Sequence, residues 1–351
     1  MTLAPHLPIK YGKPTGKPPT IPQEAKGVGH FFKSFDSRLL LFYRLWEPSE
    51  KNYSEKNEDD EKDENDNEME IQATLMILHG SGDHSGCYDE LAKSLNSMGV
   101  TVIALDMRGW GYSDGESMYF HDTDTFVEDL STLYTRIHDT PKYKNVGHRF
   151  LLGKGLGALI TAYAVEQHPS NWTGLLGLSG AYSIHPKMSL ALSSQIFFFV
   201  LKILSWFLPK LPILKPVVNH GQLHASAHHQ AATRWKIDKI CCKDYLRIGH
   251  GVELLRAMDA LPATLSHTTK LPLILMSGGH DSVVALEGHK MMMDLHQCSD
   301  KTLAVYPRGR HHLLKEPHLK DQVIQDICGW IQLHIIVTTD GAGCGCARYD
   351  Y

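Results

Sequence analysis

Between Val28 and Pro48, aromatic and aliphatic residues alternate with polar ones around an Asp36-Ser37 turn, and this period of two predicts a β-hairpin. From residue 73 onward the rhythm changes. Short, predominantly apolar runs, at Ala73–Leu78, Thr101–Leu105, Arg149–Leu152, Leu175–Leu178, Leu271–Met276 and Leu303–Tyr306, end in glycine or polar residues. Between several of them lie helical patterns at Tyr88–Met98, Phe126–Ile137, Leu156–Gln167 and Gly288–Gln297. Strands apolar on both faces, separated by amphipathic helices, predict an α/β fold: a mostly parallel sheet with helices on both faces. In such sheets functional side chains gather just beyond the strand C-termini.

The segments outside this rhythm set the domain organisation. Residues 1–27 are rich in Pro, Gly and Lys and are expected to form a flexible arm. Residues 50–71 are dominated by acidic side chains, whose mutual repulsion predicts a solvated, disordered loop on the sheet edge. The core is assigned to 28–180 and 270–337, an insertion to 181–269, and a flexible tail to 338–351. With 351 residues, 42% apolar and 21% charged, the chain can bury a full core. A net charge of -4 without a basic, aromatic-interleaved cluster excludes nucleic acid as the expected partner. Seven cysteines, without zinc-ribbon spacing or a disulfide framework, fit a reducing compartment, and with no signal-peptide pattern at the N-terminus a cytoplasmic location is expected.

Candidate chemistry falls at the strand ends. The first parallel strand runs into His79-Gly80-Ser81-Gly82-Asp83-His84 and the next into Asp106-Met107-Arg108-Gly109-Trp110-Gly111-Tyr112-Ser113. Glycine-rich turns after strands leave backbone N–H groups pointing outward, as stabilisation of an oxyanion requires, although a tight turn alone also calls for glycine. In this order the two motifs resemble those of the monoacylglycerol lipase and lysophospholipase branch of the α/β-hydrolases, the serine aminopeptidase S33-like family. The resemblance extends from about Val28 to Leu333 and implies an α/β-hydrolase fold with an inserted helical cap.

A third motif departs from the family. Its members carry a nucleophile elbow, Gly-x-Ser-x-Gly, on a sharp strand-to-helix turn. Here the turn is Gly153-Lys154-Gly155-Leu156-Gly157, so Gly155 occupies the nucleophile position without a hydroxyl. Lys154 stands where most relatives have histidine, and its charge is expected to lower the pKa of the catalytic histidine. Glycine relieves the backbone strain of such a turn, roughly 1–3 kcal/mol, once catalysis is no longer required. An engineered or altered residue in an otherwise competent enzyme is the alternative.

The resemblance supplies the remaining roles. Asp281 matches the aspartate that orients the family's histidine, and His311, with His312 as runner-up, matches the histidine itself. Ser81 and Leu156 match the residues whose N–H groups form the oxyanion hole. The family places a cap over the site, and Ser189–Leu214 within 181–269 is apolar on nearly every face but too short and interrupted to span a bilayer. Phe198 and Trp206 are its candidate lipid or membrane contacts, against the alternative of a buried core helix.

No cofactor is expected, since neither a dinucleotide fingerprint nor a phosphate loop is present. His220, His224 and His228 share one helical face beside His229, but no nearby carboxylate completes a metal set, and no metal is expected. Cys344 and Cys346 sit in the tail, where acylation or weak metal binding competes with a plain unstructured end. The expected function is a monoacylglycerol-lipase-like protein that binds monoacylglycerol or lysophospholipid, touches membranes peripherally through its cap, and is catalytically impaired at Gly155. The alternative is an active acylglycerol esterase working through water activated by His311 and Asp281, or through a displaced serine such as Ser81 or Ser113.

Overall fold

The structure is a computed structural model that describes residues 20–49, 70–120, 122–186, 195–214, 238–242, 244–265 and 270–339. Most of the expected N-terminal arm and acidic loop, the histidine tract His220 to His229, the Cys344/Cys346 tail and the side chain of Phe198 lie outside the described residues.

The predicted hairpin is present as β1 (Gly29–Lys33) and β2 (Leu40–Trp46), antiparallel, with Phe32 opposite Leu41. Its turn is closed by Ser34 Oγ, which donates to Asp36 Oδ1 at 2.6 Å. The parallel strands follow as β3 (Ala73–Leu78), β4 (Val100–Leu105), β5 (His148–Lys154) and β6 (Gly174–Leu178), and then, after the insertion, β9 (Leu273–Gly278) and β10 (Lys301–Tyr306). The eight strands order as β1-β2-β4-β3-β5-β6-β9-β10; β1 and β2 are antiparallel to their neighbours and every other pairing is parallel.

Both faces of the sheet are covered, which is why its central strands are predominantly apolar rather than alternating. Helices α1 (Asp89–Asn96), α2 (Thr123–His138) and α3 (Leu156–Gln167) alternate with the strands of the first half. Along β3, Ala73, Leu75 and Ile77 pack with α1, while Met76 and Leu78 pack with α2 and α3. Residues 156–165 of α3 are all buried, so this helix is held from every side by burial rather than by an amphipathic stripe.

Within the insertion, α4 (Gln195–Phe207) is followed by a two-stranded antiparallel ribbon, β7 (Pro212–Leu214) with β8 (Leu246–Arg247). Helix α5 (Ile248–Leu265) then returns to the core, burying Ala257, Met258 and Leu261 with α3. The core closes with α6 (Leu286–Leu295) beside α5 and α7 (Lys320–Thr339) beside α1. Sequence periodicity missed the ribbon, because strands of two or three residues are too short to show a period.

The end of the expected N-terminal arm is not free. Ala25 is fully buried, and the Glu24 carbonyl accepts a hydrogen bond from Arg44 at 3.1 Å. Arg44 is a buried guanidinium on β2, and this main-chain oxygen is one of the partners that burial obliges it to find.

Candidate active site

Strands β3, β5, β9 and β10 are parallel, so the loops leaving their C-terminal ends meet at one edge of the sheet. The turn from β5 into α3 is the sharpest of these, with Gly155 at φ 53°, ψ -117°. Its N–H donates to the Leu178 carbonyl at 3.0 Å, and its carbonyl accepts from Ala158, Leu159 and Ala181. Gly157 is needed for a different reason: a Cβ there would run into the carbonyls of Leu78 and His79, so only glycine lets α3 pass this close to β3.

The loops after β9 and β10 bring a carboxylate and an imidazole to this turn. Asp281 Oδ1 accepts from the N–H groups of Val283 (2.8 Å) and Val284 (3.1 Å), which aims Oδ2 at His311. His311 Nδ1–H donates to that oxygen at 2.8 Å. Burial works against the Asp281 charge, but His311 and the two backbone donors outweigh it and hold the carboxyl below its ordinary value. The other imidazole nitrogen faces the elbow, because a Cβ built on Gly155 would lie 3.8 Å from His311 Nε2. Glu316, fully buried, steadies the loop by accepting from the Arg310 N–H at 2.7 Å.

Gly155, Asp281 and His311 therefore converge, whereas His312 turns away. It is buried against Lys154, whose Nζ lies 2.9 Å from His312 Nδ1. Burial first, and then the Lys154 charge, push the His312 pKa well below its usual range. This corrects the expected role of Lys154. Its ammonium is paired with Asp83 and faces His312, so the charge expected beside His311 is spent elsewhere.

Asp83 is the centre of that group. It receives Lys154 on Oδ2 and Lys315 on Oδ1, the latter at 2.6 Å. Burial alone would raise its pKa, yet the two lysines hold the carboxyl well below the usual carboxylate range. Sequence reasoning used Asp83 and Lys315 only as motif landmarks. The available signal was a carboxylate and a lysine inside glycine-rich turns that pack against buried strands, where an unpaired charge is prohibitively costly.

Of the two residues expected at the oxyanion hole, Leu156 opens α3, where its N–H has no intrahelical acceptor. Ser81 lies in the turn after β3, next to Gly80, whose Cα would be 3.7 Å from a Cβ on Gly155. The second glycine-rich motif is chiefly structural. Asp106 accepts from the N–H groups of Ser85 (2.5 Å) and Tyr112 (2.9 Å), and a Cβ on Gly111 would collide with its carboxylate. Ser113 donates its hydroxyl to the Asp106 carbonyl and accepts from the Phe42 N–H, so this candidate displaced nucleophile is occupied in holding the loop to β2. His79 likewise bridges loops, its Nε2 accepting from Met107 N–H at 3.0 Å.

The expected cap contacts divide. Trp206 is 77% exposed at the end of α4, and Phe199 and Phe207 are exposed beside it, while Leu201 on the opposite face is buried. Among the described residues no helix is long and apolar enough to cross a membrane.

A mostly parallel eight-stranded sheet, helices on both faces and a histidine–carboxylate pair beside a strand-to-helix elbow define an α/β-hydrolase. The family model described as "Serine aminopeptidase, S33" matches residues 69–318. The chain belongs to that family, and it is a monoglyceride-lipase-like α/β-hydrolase. It is 30% identical over 267 residues to the monoglyceride lipase of Homo sapiens, covering 74% of this chain and 82% of that one. It is 27% identical over 265 residues to the monoacylglycerol lipase of Mycolicibacterium smegmatis, covering 75% and 89%. Among solved structures, a soluble variant of monoglyceride lipase from Saccharomyces cerevisiae in complex with a substrate analog superposes with a TM-score of 0.73 at 18% identity, over 90% of this chain and 99% of that one.

Proposed function

We propose that the chain binds acyl lipids, monoacylglycerol or lysophospholipid, at the Gly155 edge of the sheet, and that it lacks ordinary acyl-enzyme turnover. One observation carries this: His311, held by Asp281, faces a position 3.8 Å away where Gly155 offers no side chain. In a serine hydrolase that position holds the nucleophile, and losing it costs on the order of 10⁶ in kcat. The N–H groups of Ser81 and Leu156 would still receive a carbonyl oxygen, which leaves binding and a residual acceleration of roughly 10³–10⁴ over water.

The family supports the lipid class, since the relatives it matches are named for acylglycerol hydrolysis. The aromatic face of α4 supports a peripheral membrane contact. Phe199, Trp206 and Phe207 are 63%, 77% and 73% exposed, and an interfacial helix contributes binding energy through side chains of this kind. In this proposal residues 181–269 form the cap that passes lipid to the site, and the protein works in the cytoplasm and at membrane surfaces.

A second function is favoured by the same pair of residues. The space left by Gly155 lies within reach of His311 Nε2, where a water molecule would meet a general base oriented by Asp281. An assay of monoacylglycerol hydrolysis, run beside labelling with a fluorophosphonate probe, separates the cases. Neither labelling nor turnover supports the binding protein, turnover without labelling supports the water route, and labelling with turnover identifies a displaced serine.

A further inference from the structure

Outside the elbow, the fold assembles a group of side chains that spacing along the chain conceals. His84, Cys87 and Cys241 place one ring nitrogen and two sulfurs within 4.8 Å of one another. His84 ends the glycine-rich motif after β3 and Cys87 lies in the 3-10 turn Ser85–Tyr88 that leads into α1. Cys241 arrives from the other side of the insertion, in the short stretch 238–242. That stretch is fastened to the core by several contacts, among them Ser117 Oγ at 3.0 Å from Cys242 Sγ. Asp238 Oδ2 accepts from His84 Nε2–H at 3.0 Å, and the Cys242 N–H donates to the Gly82 carbonyl at 3.1 Å. His84 and Cys241 are each only 4% exposed.

We propose that His84, Cys87 and Cys241 bind one zinc ion, with Asp238 orienting His84, and that the ion pins the 238–242 stretch to the core beside the elbow. Two thiolates and an imidazole are a donor set suited to zinc, which takes sulfur at about 2.3 Å and nitrogen at about 2.0–2.1 Å. Tetrahedral angles then put the donor atoms about 3.5–3.8 Å apart, so the group needs only a small contraction to close on the ion. The carboxylate–histidine contact is the usual outer-shell arrangement, which fixes the ring and its tautomer. With Nε2 held by Asp238, Nδ1 is the nitrogen left to the metal, in exchange for the 3.1 Å contact it accepts from the Gly86 N–H.

Asp83 is near, 4.0 Å from Cys87 Sγ, but its two oxygens are taken by Lys154 and Lys315, so it is not the fourth ligand. The fourth position falls to water or to an exogenous donor, as in zinc sites with three protein ligands. Cys87 and Cys241 are free thiols, as the ion requires.

The test uses the full chain, purified under reducing conditions, stripped with a chelator and titrated with Co²⁺. One Co²⁺ per chain is expected, with the ultraviolet charge-transfer absorption of thiolate ligation, displaced by one equivalent of Zn²⁺. Histidines of the 220–229 tract cannot produce that band. Cys87→Ser and Cys241→Ser should each remove or sharply weaken it while circular dichroism confirms the fold. Asp238→Asn, which keeps all three ligands, should lower the Zn²⁺ affinity about 10–100-fold. A wild-type chain without the band overturns the proposal, as does a band unchanged in both cysteine variants. A chain in which Cys87 and Cys241 are joined as a disulfide under these conditions, seen as a mass lower by two hydrogens in the peptide pair, overturns it as well.

Discussion

Gly155→Ser should convert the chain into a measurable ester hydrolase and should destabilise it. The new Cβ meets Gly80 Cα at 3.7 Å and His311 Nε2 at 3.8 Å, ordinary van der Waals distances, so steric collision does not oppose the change. The hydroxyl lies one bond further on, and rotation about χ1 can bring it to the roughly 2.6–3.2 Å from Nε2 that proton transfer needs. The cost comes from the backbone. At φ 53° a non-glycine residue is strained, by roughly 1–3 kcal/mol for a position of this kind.

Gly155→Ala carries the same strain without the hydroxyl and is the natural control. Both variants should unfold at similarly lower urea concentration than the parent. Only Gly155→Ser should react with a fluorophosphonate probe and hydrolyse a monoacylglycerol, with a gain that can approach the ~10⁶ in kcat lost when such a serine is removed. Adding Lys154→His should not improve the rescue, because Lys154 is paired with Asp83 and faces His312 rather than His311. If Gly155→Ser folds, loses as much stability as Gly155→Ala, and yet shows neither labelling nor turnover, the His311–Asp281 pair is not set for catalysis and the geometric reasoning fails.

Asp83→Asn should cost about 3–5 kcal/mol in urea denaturation, since it leaves Lys154 and Lys315 without their shared counter-charge; a loss under 1 kcal/mol would mean the lysines find water instead. Burial pushes the pKa values of His250 and His289 down to about 4. Below about 6.5 the unfolded chain binds protons that these folded histidines refuse, so stability should fall on acidification, by about 1.4 kcal/mol per pH unit for each histidine between 6.5 and 4; His289→Asn should flatten that slope, and an unchanged slope would contradict the assignment. Trp206→Ser with Phe207→Ser should reduce co-sedimentation with anionic liposomes without shifting the urea midpoint, because both side chains are already exposed; a lowered midpoint with undiminished sedimentation would make α4 a packing helix.

The fold was legible where a single period governed a segment. Ala73–Leu78 and Leu156–Gln167 are strand and helix within the limits their apolar patterns set, because burial on both faces or on all sides leaves no competing signal. Boundaries moved where capping and turns decide them: the pattern from Tyr88 begins as a 3-10 turn, and α1 starts only at Asp89. Gly155, Asp281 and His311 were picked out by their match to the family's motifs, with which their strand-end positions agree. The Lys154–Asp83–Lys315 group and the His84–Cys87–Cys241 group were not, since each joins residues far apart in sequence that only the assembled sheet and the insertion's 238–242 stretch bring together.

The polar residues at this sheet edge differ in what the fold asks of them. Asp106 orders its own loop, Asp83 neutralises two buried lysines, and even Asp281 earns a structural place by accepting from Val283 and Val284. His311 is different. Its ring ties to Asp281 through Nδ1 and presents Nε2 to the empty side of Gly155, a direction that serves no strand or turn. Holding an imidazole there requires a buried carboxylate partner, and burying that carboxylate costs free energy which the pair must recover. An edge that only bound acyl chains would do so with apolar side chains and would gain nothing from this nitrogen. Under the proposed function, Nε2 would bear on a polar group of the bound molecule, a head-group hydroxyl in the binding protein or an activated water in the hydrolase. His311→Phe separates the two: it should weaken binding of a lipid with a hydroxylated head group relative to one of equal chain length without it, whereas in the hydrolase it should abolish turnover and leave both affinities alike.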